Sequence, residues 1–184
     1  YGRAIRHGWK AVRLYPAARE QLQALTDLAW AFVEVGDLRA AEDAYTVVAH
    51  RTEEFRYRAY ALDALAYIEA LRGDKVGFEA RLEAVDSMAW RQGPPFMVSD
   101  LLFYRGKAYG LLGSVEQAER WLEEARVYSE KHANHQISFQ AEDLLRTLRE
   151  GGLPAASEVA VADSVELSGV DGVREELSLM RGEY

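Results

Sequence analysis

A Gly-Asp pair interrupts "VEVGDLRAAEDAY" (33–45) and separates two runs of helical spacing. The same break recurs along the chain. "LAWAFVEVGDLRAAEDAY" aligns with "LAYIEALRGDKVGFEARL" and again with "GKAYGLLGSVEQAERWL". The punctuating glycines are Gly36, Gly73 and Gly113, separated by 37 and 40 residues. Leu25, Leu28, Ala29 and Phe32 precede the first break, Leu62, Leu65 and Ala66 the second, and Leu102, Gly106 and Tyr109 the third. Ala41, Tyr45 and Val48 follow the first, Phe78, Leu82 and Val85 the second, and Ala118, Leu122 and Ala125 the third. Spacings of three and four place each set on one helix face. Glycine suits the left-handed residue that closes a helix, and Asp37, Asp74 or Ser114 can cap the next one. Each unit therefore reads as an antiparallel helical hairpin.

The helices are expected at about 2–14, 17–35, 38–52, 54–72, 75–91, 96–112, 115–132 and 135–150, from the apolar period and the turn residues. "RQGPPF" (91–96) is the sharpest break, because two prolines stop one helix and reset the next. "ISFQAEDLLRTLRE" reads as a terminal helix that covers the open end of the stack.

Over about Arg3 to Arg149 this pattern resembles the tetratricopeptide repeat family, whose units place large, small and aromatic residues and a closing proline at fixed intervals. "RAIRHGWKAVRLYP" fits the second half of such a unit, with Ala4, Gly8, Ala11 and Pro16 at the family's spacing. The chain is thus expected to begin inside a repeat and to belong to a larger protein. The resemblance implies an all-α fold, a right-handed α-solenoid of stacked antiparallel hairpins with about 7–8 helices. Its expected units are a half repeat at 1–16, repeats at about 17–53, 54–93 and 94–133, and a capping helix at 135–150, which together make a domain at 1–151. Units of 37 and 40 residues exceed the family's usual ~34. The closing proline is replaced by Glu53, Trp90 and Glu130, and Glu69 and Arg105 stand where apolar residues are expected. Long degenerate units of this kind are similar to those in the sensor regions of bacterial transcription regulators.

The resemblance also implies a concave groove lined by the first helix of each unit. By helical phase, the groove side carries Gln23, Thr26, Asp27, Trp30 and Glu34 in the first unit. Tyr60, Asp63, Tyr67 and Leu71 follow in the second, and Asp100, Phe103, Lys107 and Leu111 in the third. Trp30, Tyr60, Tyr67 and Phe103 would form an aromatic stripe beside an acidic ladder of Asp27, Asp63 and Asp100, with Lys107 as the main positive charge. Aromatics offer large contact area at low rotamer cost, which suits recognition of a protein or peptide segment. The acids favour a basic segment by complementarity. The same residues also suit a plainer account, in which the aromatics are inter-repeat core and the acids a solvated face. The family's carboxylate-gripping clamp needs Lys, Asn and Arg; here Thr26, Trp30, Tyr67, Phe103 and Lys107 occupy the corresponding places.

Composition narrows the chemistry further. The chain has no cysteine, which removes thiol catalysis, disulfides and thiolate metal sites and accords with a cytoplasmic location. No run approaches the ~18 apolar residues of a membrane span. The net charge of −8 gives no footprint for phosphate backbones, so direct nucleic-acid binding is not expected. His132 and His135, three apart beside Glu130, have zinc-like spacing but no third ligand, and they fall at a helix junction. No nucleophile elbow, dinucleotide fingerprint or carboxylate pair appears, so no cofactor and no catalysis are expected.

Residues 152–184 form an acidic tail with seven acidic and two basic residues. Disorder is the compositional default. Yet Val159, Val161, Val165 and Leu167 alternate like a strand, and Val173, Leu177 and Met180 suit a short amphipathic helix that could dock on a repeat of the same or a neighbouring chain. The leading expectation is a non-catalytic module that binds a protein or peptide segment. The alternatives are the ligand-sensing or oligomerisation region of a bacterial transcription regulator, a self-associating structural adaptor and, remotely, an enzyme or metal protein.

Overall fold

The computed structural model describes residues 1–151 and 169–184. Its helices are α1 (Gly2–Leu14), α2 (Ala18–Glu34), α3 (Leu38–Arg51), α4 (Phe55–Leu71), α5 (Lys75–Asp86), α6 (Pro95–Leu111), α7 (Val115–Lys131), α8 (His135–Glu150) and α9 (Asp171–Arg181). A 3-10 turn at Trp90–Gln92 precedes α6, and no strand occurs among the described residues. Helices pack on their chain neighbours, α2 on α3, α4 on α5, α6 on α7 and α7 on α8, while α4 also touches α6 and α6 touches α8. The architecture is all-α and repeat-like, built of adjacent helix pairs. No helix among the described residues is long and apolar enough to cross a membrane.

The turns show why the pairs form. Gly36, Gly73 and Gly113 all have left-handed φ, at 77°, 76° and 70°. In each turn the following residue's N–H reaches back to close the helix: Asp37 to Phe32 at 2.9 Å, Asp74 to Glu69 at 2.9 Å and Ser114 to Tyr109 at 2.8 Å. The α7–α8 junction copies this geometry without glycine. Ala133 takes φ 57° and the Asn134 N–H reaches Ser129 at 2.9 Å. Asp37 and Asp74 then cap the next helix, accepting from Ala40 N–H at 3.2 Å and Gly77 N–H at 2.9 Å. Ser114 makes no cap bond; its hydroxyl accepts from the Lys75 ammonium at 3.1 Å instead. Gly106 sets the α6–α7 spacing, since a Cβ there would lie 2.9 Å from the Leu122 backbone nitrogen.

Helix α5 ends at Asp86, short of the expected residue 91. Burial of Trp90 overrides the helical period. Its ring turns inward, where the indole N–H donates to Asp86 at 3.1 Å and the Arg105 guanidinium lies 4.4 Å from the ring centroid. Arg105 is 1% exposed and bonds Asp63 at 2.8 Å and Asp86 at 2.6 Å. This network explains how a charged residue occupies an apolar repeat position: two carboxylates and two indole faces enclose it.

Helix α9 packs on α3. Val170, Val173 and Leu177 are buried, at successive-turn spacing. Arg174 reaches Asp37 at 2.6 Å, Arg181 reaches Asp43 at 2.7 Å and Glu42 at 2.9 Å, and the Tyr184 ring stacks on His50 at 5.1 Å. The reason lies in α3, which is apolar on two faces. Ala41, Tyr45 and Val48 face the repeat, while Ala40, Ala44 and Val47 leave a second stripe that α9 can cover. The alternation at Val159, Val161, Val165 and Leu167 lies outside the described residues.

Candidate functional site: a two-chambered trough

Helices α2, α4, α6 and α8 enclose an elongated depression of two adjoining cavities. The outer one, about 240 Å³, is walled by Gln23, Thr26, Asp27, Arg56, Tyr57, Tyr60, Pro94, Phe96, Met97 and Asp100. The inner one, about 420 Å³, is walled by Thr26, Asp27, Trp30, Tyr60, Asp100, Tyr104, Asn134, Gln136, Ile137 and Gln140. Thr26, Asp27, Tyr60 and Asp100 belong to both and form the waist between them.

The floor of the inner chamber is an aromatic cluster. Trp30 stacks on Tyr67 at 6.2 Å between centroids and meets Tyr104 edge-on at 4.8 Å. Tyr104 in turn meets Tyr67 at 5.3 Å and Phe103 at 5.2 Å. Such pairs contribute roughly 0.5–1.5 kcal/mol each beyond their burial. Tyr67 and Phe103 are buried and act mainly as packing, whereas Trp30, Tyr60 and Tyr104 keep an accessible side. Lys107 lies 5.5 Å from the Tyr67 centroid and 5.9 Å from that of Tyr104. Burial lowers its pKa, with the Glu34 charge pulling the other way. Its charge is engaged with the cluster, and Glu34 stands exposed nearby.

The polar groups at the waist are unequally satisfied. Asp27 is exposed and accepts from the Gln23 amide at 3.0 Å; the Gln23 carbonyl in turn accepts from the Tyr57 hydroxyl at 3.3 Å. The Thr26 hydroxyl donates back to the Leu22 carbonyl at 2.8 Å. Asp100 has no hydrogen-bond or ion-pair partner among the described residues, and burial raises its carboxyl to about 6. Burial also raises the Tyr60 and Tyr104 phenols, and the Asp100 charge adds to both shifts.

One expectation needs correction. Asp63 does not join the ladder: it is 5% exposed and turned to Arg105, away from both cavities. Burial raises its carboxyl to about 6 while Arg105 draws it down. Helical phase gives a residue's direction but not its partner, and here a guanidinium 42 residues away claims the carboxylate. The acids of the trough are therefore Asp27 and Asp100. Sequence reasoning also passed over Tyr104, although Asp100, Tyr104 and Lys107 share one face at i, i+4 and i+7. Asn134, Gln136 and Gln140 carry no groove signal in the sequence either, since the pattern of α8 marks it only as a terminal helix. At the α7–α8 junction, His132 packs on Tyr128 at 4.3 Å and closes α7, while His135 opens α8 beyond Ala133 and Asn134, so the two histidines do not share a helix face.

Comparison with family models, with curated proteins and with solved structures returns no match.

Proposed function

We propose that this chain is a non-catalytic recognition module of tetratricopeptide-like stacked hairpins, a solenoid that holds an extended protein segment in the trough between α2, α4, α6 and α8. One observation carries the reading: the waist joins two open chambers across three repeat units, and its walls alternate aromatic and polar groups. That shape suits a chain lying across the helices better than a small molecule enclosed in a single cavity. Aromatic surface supplies contact energy, while Gln136 and Gln140 can pair with a ligand's backbone amides. Lacking a nucleophile–base pair, the trough walls present binding chemistry.

Panning a random dodecapeptide phage library on the immobilised full chain tests the proposal. Asp27→Arg places a long side chain across the waist at an exposed position, so it should abolish binding of selected peptides while leaving the melting temperature within about 2 °C, as surface substitutions do. Selected peptides that bind Asp27→Arg as tightly as the native chain would contradict the proposal.

A further inference from the structure

We infer that the outer face of α3 is a second recognition surface, which takes a partner's amphipathic helix bearing apolar residues at i, i+3 and i+7 and arginines at i+4 and i+11. No residue of α3 walls either chamber of the trough, so the two surfaces are separate. In the free chain α9 occupies this face, and Val170, Val173, Arg174, Leu177 and Arg181 have that spacing.

The face is peculiar to the first unit. With Gly36, Gly73 and Gly113 aligned, Ala40, Ala44 and Val47 of α3 correspond to Gly77, Arg81 and Ala84 of α5 and to Gln117, Trp121 and Glu124 of α7. All three are buried in α3, and none of their counterparts is buried in α5 or α7. Stacking the hairpins therefore does not require an apolar stripe at these positions, whereas seating a further helix does.

Charge fits the same ligand. Asp43 is 4% exposed, and among the described residues Arg181 alone answers its charge, at 2.7 Å. Glu42 holds the same guanidinium at 2.9 Å, and Asp37 holds Arg174 at 2.6 Å one helix end away. An apolar stripe flanked by acids that grip arginines is the chemistry of a helix laid in a groove.

Helix α9 is held as a bound segment is, by one face. Its hydrogen bonds to α3 and the α3 cap join residues 132 to 139 apart, whereas each of the other helices packs on a chain neighbour. It has 11 residues, and Leu179 on its far side is 74% exposed. A helix that short is marginal by itself, and ion pairs as open as those of Arg174 and Arg181 add little. Such an element detaches locally without unfolding the stack. A rival helix must outcompete a tethered one, whose local concentration is on the order of a millimolar. The face therefore opens to helices that bind better than α9, or when α9 is released.

The test uses the full chain and a fluorescein-labelled synthetic peptide of residues 169–184, followed by fluorescence anisotropy. Two variants release α9 by different means: Leu177→Asp spoils its apolar stripe, and Arg174→Glu with Arg181→Glu reverses its charges. Both should bind the peptide at least tenfold more tightly than the native chain does. Adding Asp43→Arg to Leu177→Asp should weaken binding at least tenfold, and a peptide carrying Arg181→Glu should recover it. A peptide that binds neither released variant, or binds the native chain equally well, would overturn the inference. So would binding indifferent to Asp43→Arg, or a loss that the charge-swapped peptide does not recover.

Discussion

Asp100→Asn isolates the physical character of the trough. Burial alone raises the Asp100 carboxyl from 3.8 to about 6, so the native fold holds its proton more tightly than the unfolded chain does. For a group with a raised folded pKa, stability is highest at low pH and falls as pH rises from about 4 to about 6. Asparagine does not titrate, so the gap between variant and native chain should open across that window. A shift of about 2 units at 1.36 kcal/mol each sets a ceiling near 3 kcal/mol; the asparagine amide is itself partly desolvated, so about 1–2 kcal/mol is expected at pH 7.5. The groups facing Asp100 are Asp27 from α2, Tyr60 and the Glu54-paired Arg56 from α4, and Tyr104 from α6, while α8 contributes only uncharged Asn134, Gln136 and Gln140. Asp63 titrates near the same pH but does so in both proteins, and it cancels in the difference. Urea melts from pH 4 to 8 should show Asp100→Asn more stable at pH 7.5 and equal to the native chain at pH 4. A variant less stable at pH 7.5 would mean that the carboxylate has a partner, and the reasoning would fail.

Other expected outcomes follow from the same packing. Burial raises the Asp63 carboxyl as it does that of Asp100, but Asp63 is ion-paired. Asp63→Asn should therefore lose about 3–5 kcal/mol in urea melts at pH 7.5, because the buried Arg105 guanidinium is left with Asp86 alone and its loss of a partner outweighs the relief of a desolvated carboxylate. Ala133→Gly should gain about 0.5–1 kcal/mol by relieving left-handed strain at φ 57°. Gly36→Ala should lose about 1 kcal/mol from backbone strain alone, since a Cβ there meets nothing within 4 Å. Leu177→Asp buries a charge at the α9–α3 contact, so amide exchange over 171–181 should accelerate at least tenfold while α6 and α7 stay protected.

How far the chain could be read from its letters depended on the reach of each signal. Local signals were legible: a glycine at a left-handed turn followed by Asp needs no distant partner, and Gly36, Gly73 and Gly113 mark turns of one geometry. The α7–α8 turn was legible only as a junction, because Ala133 adopts the same φ without the residue that advertises it. Signals that depend on tertiary partners were misread. Asp63 shares the phase of the groove acids but faces a buried arginine from the next unit, and α5 stops early because Trp90 must reach that same arginine. In the trough, Asp27, Trp30, Tyr60 and Asp100 follow from helical phase. Tyr104 and the α8 amides required knowing that α8 closes the inner chamber. The double apolar face of α3 was present in Ala40, Ala44 and Val47, although only α9 lying upon it shows what that face is for.

The four tryptophans allow one direct test of the trough, because Trp30 alone lies on it while Trp9, Trp90 and Trp121 sit elsewhere in the fold. Titrating a selected dodecapeptide into the nitrogen-15-labelled chain and following the four indole N–H resonances should move Trp30 saturably and leave the other three in place. Saturable shifts at Trp9 or Trp121 with Trp30 unmoved would place the bound segment off the trough and contradict the account.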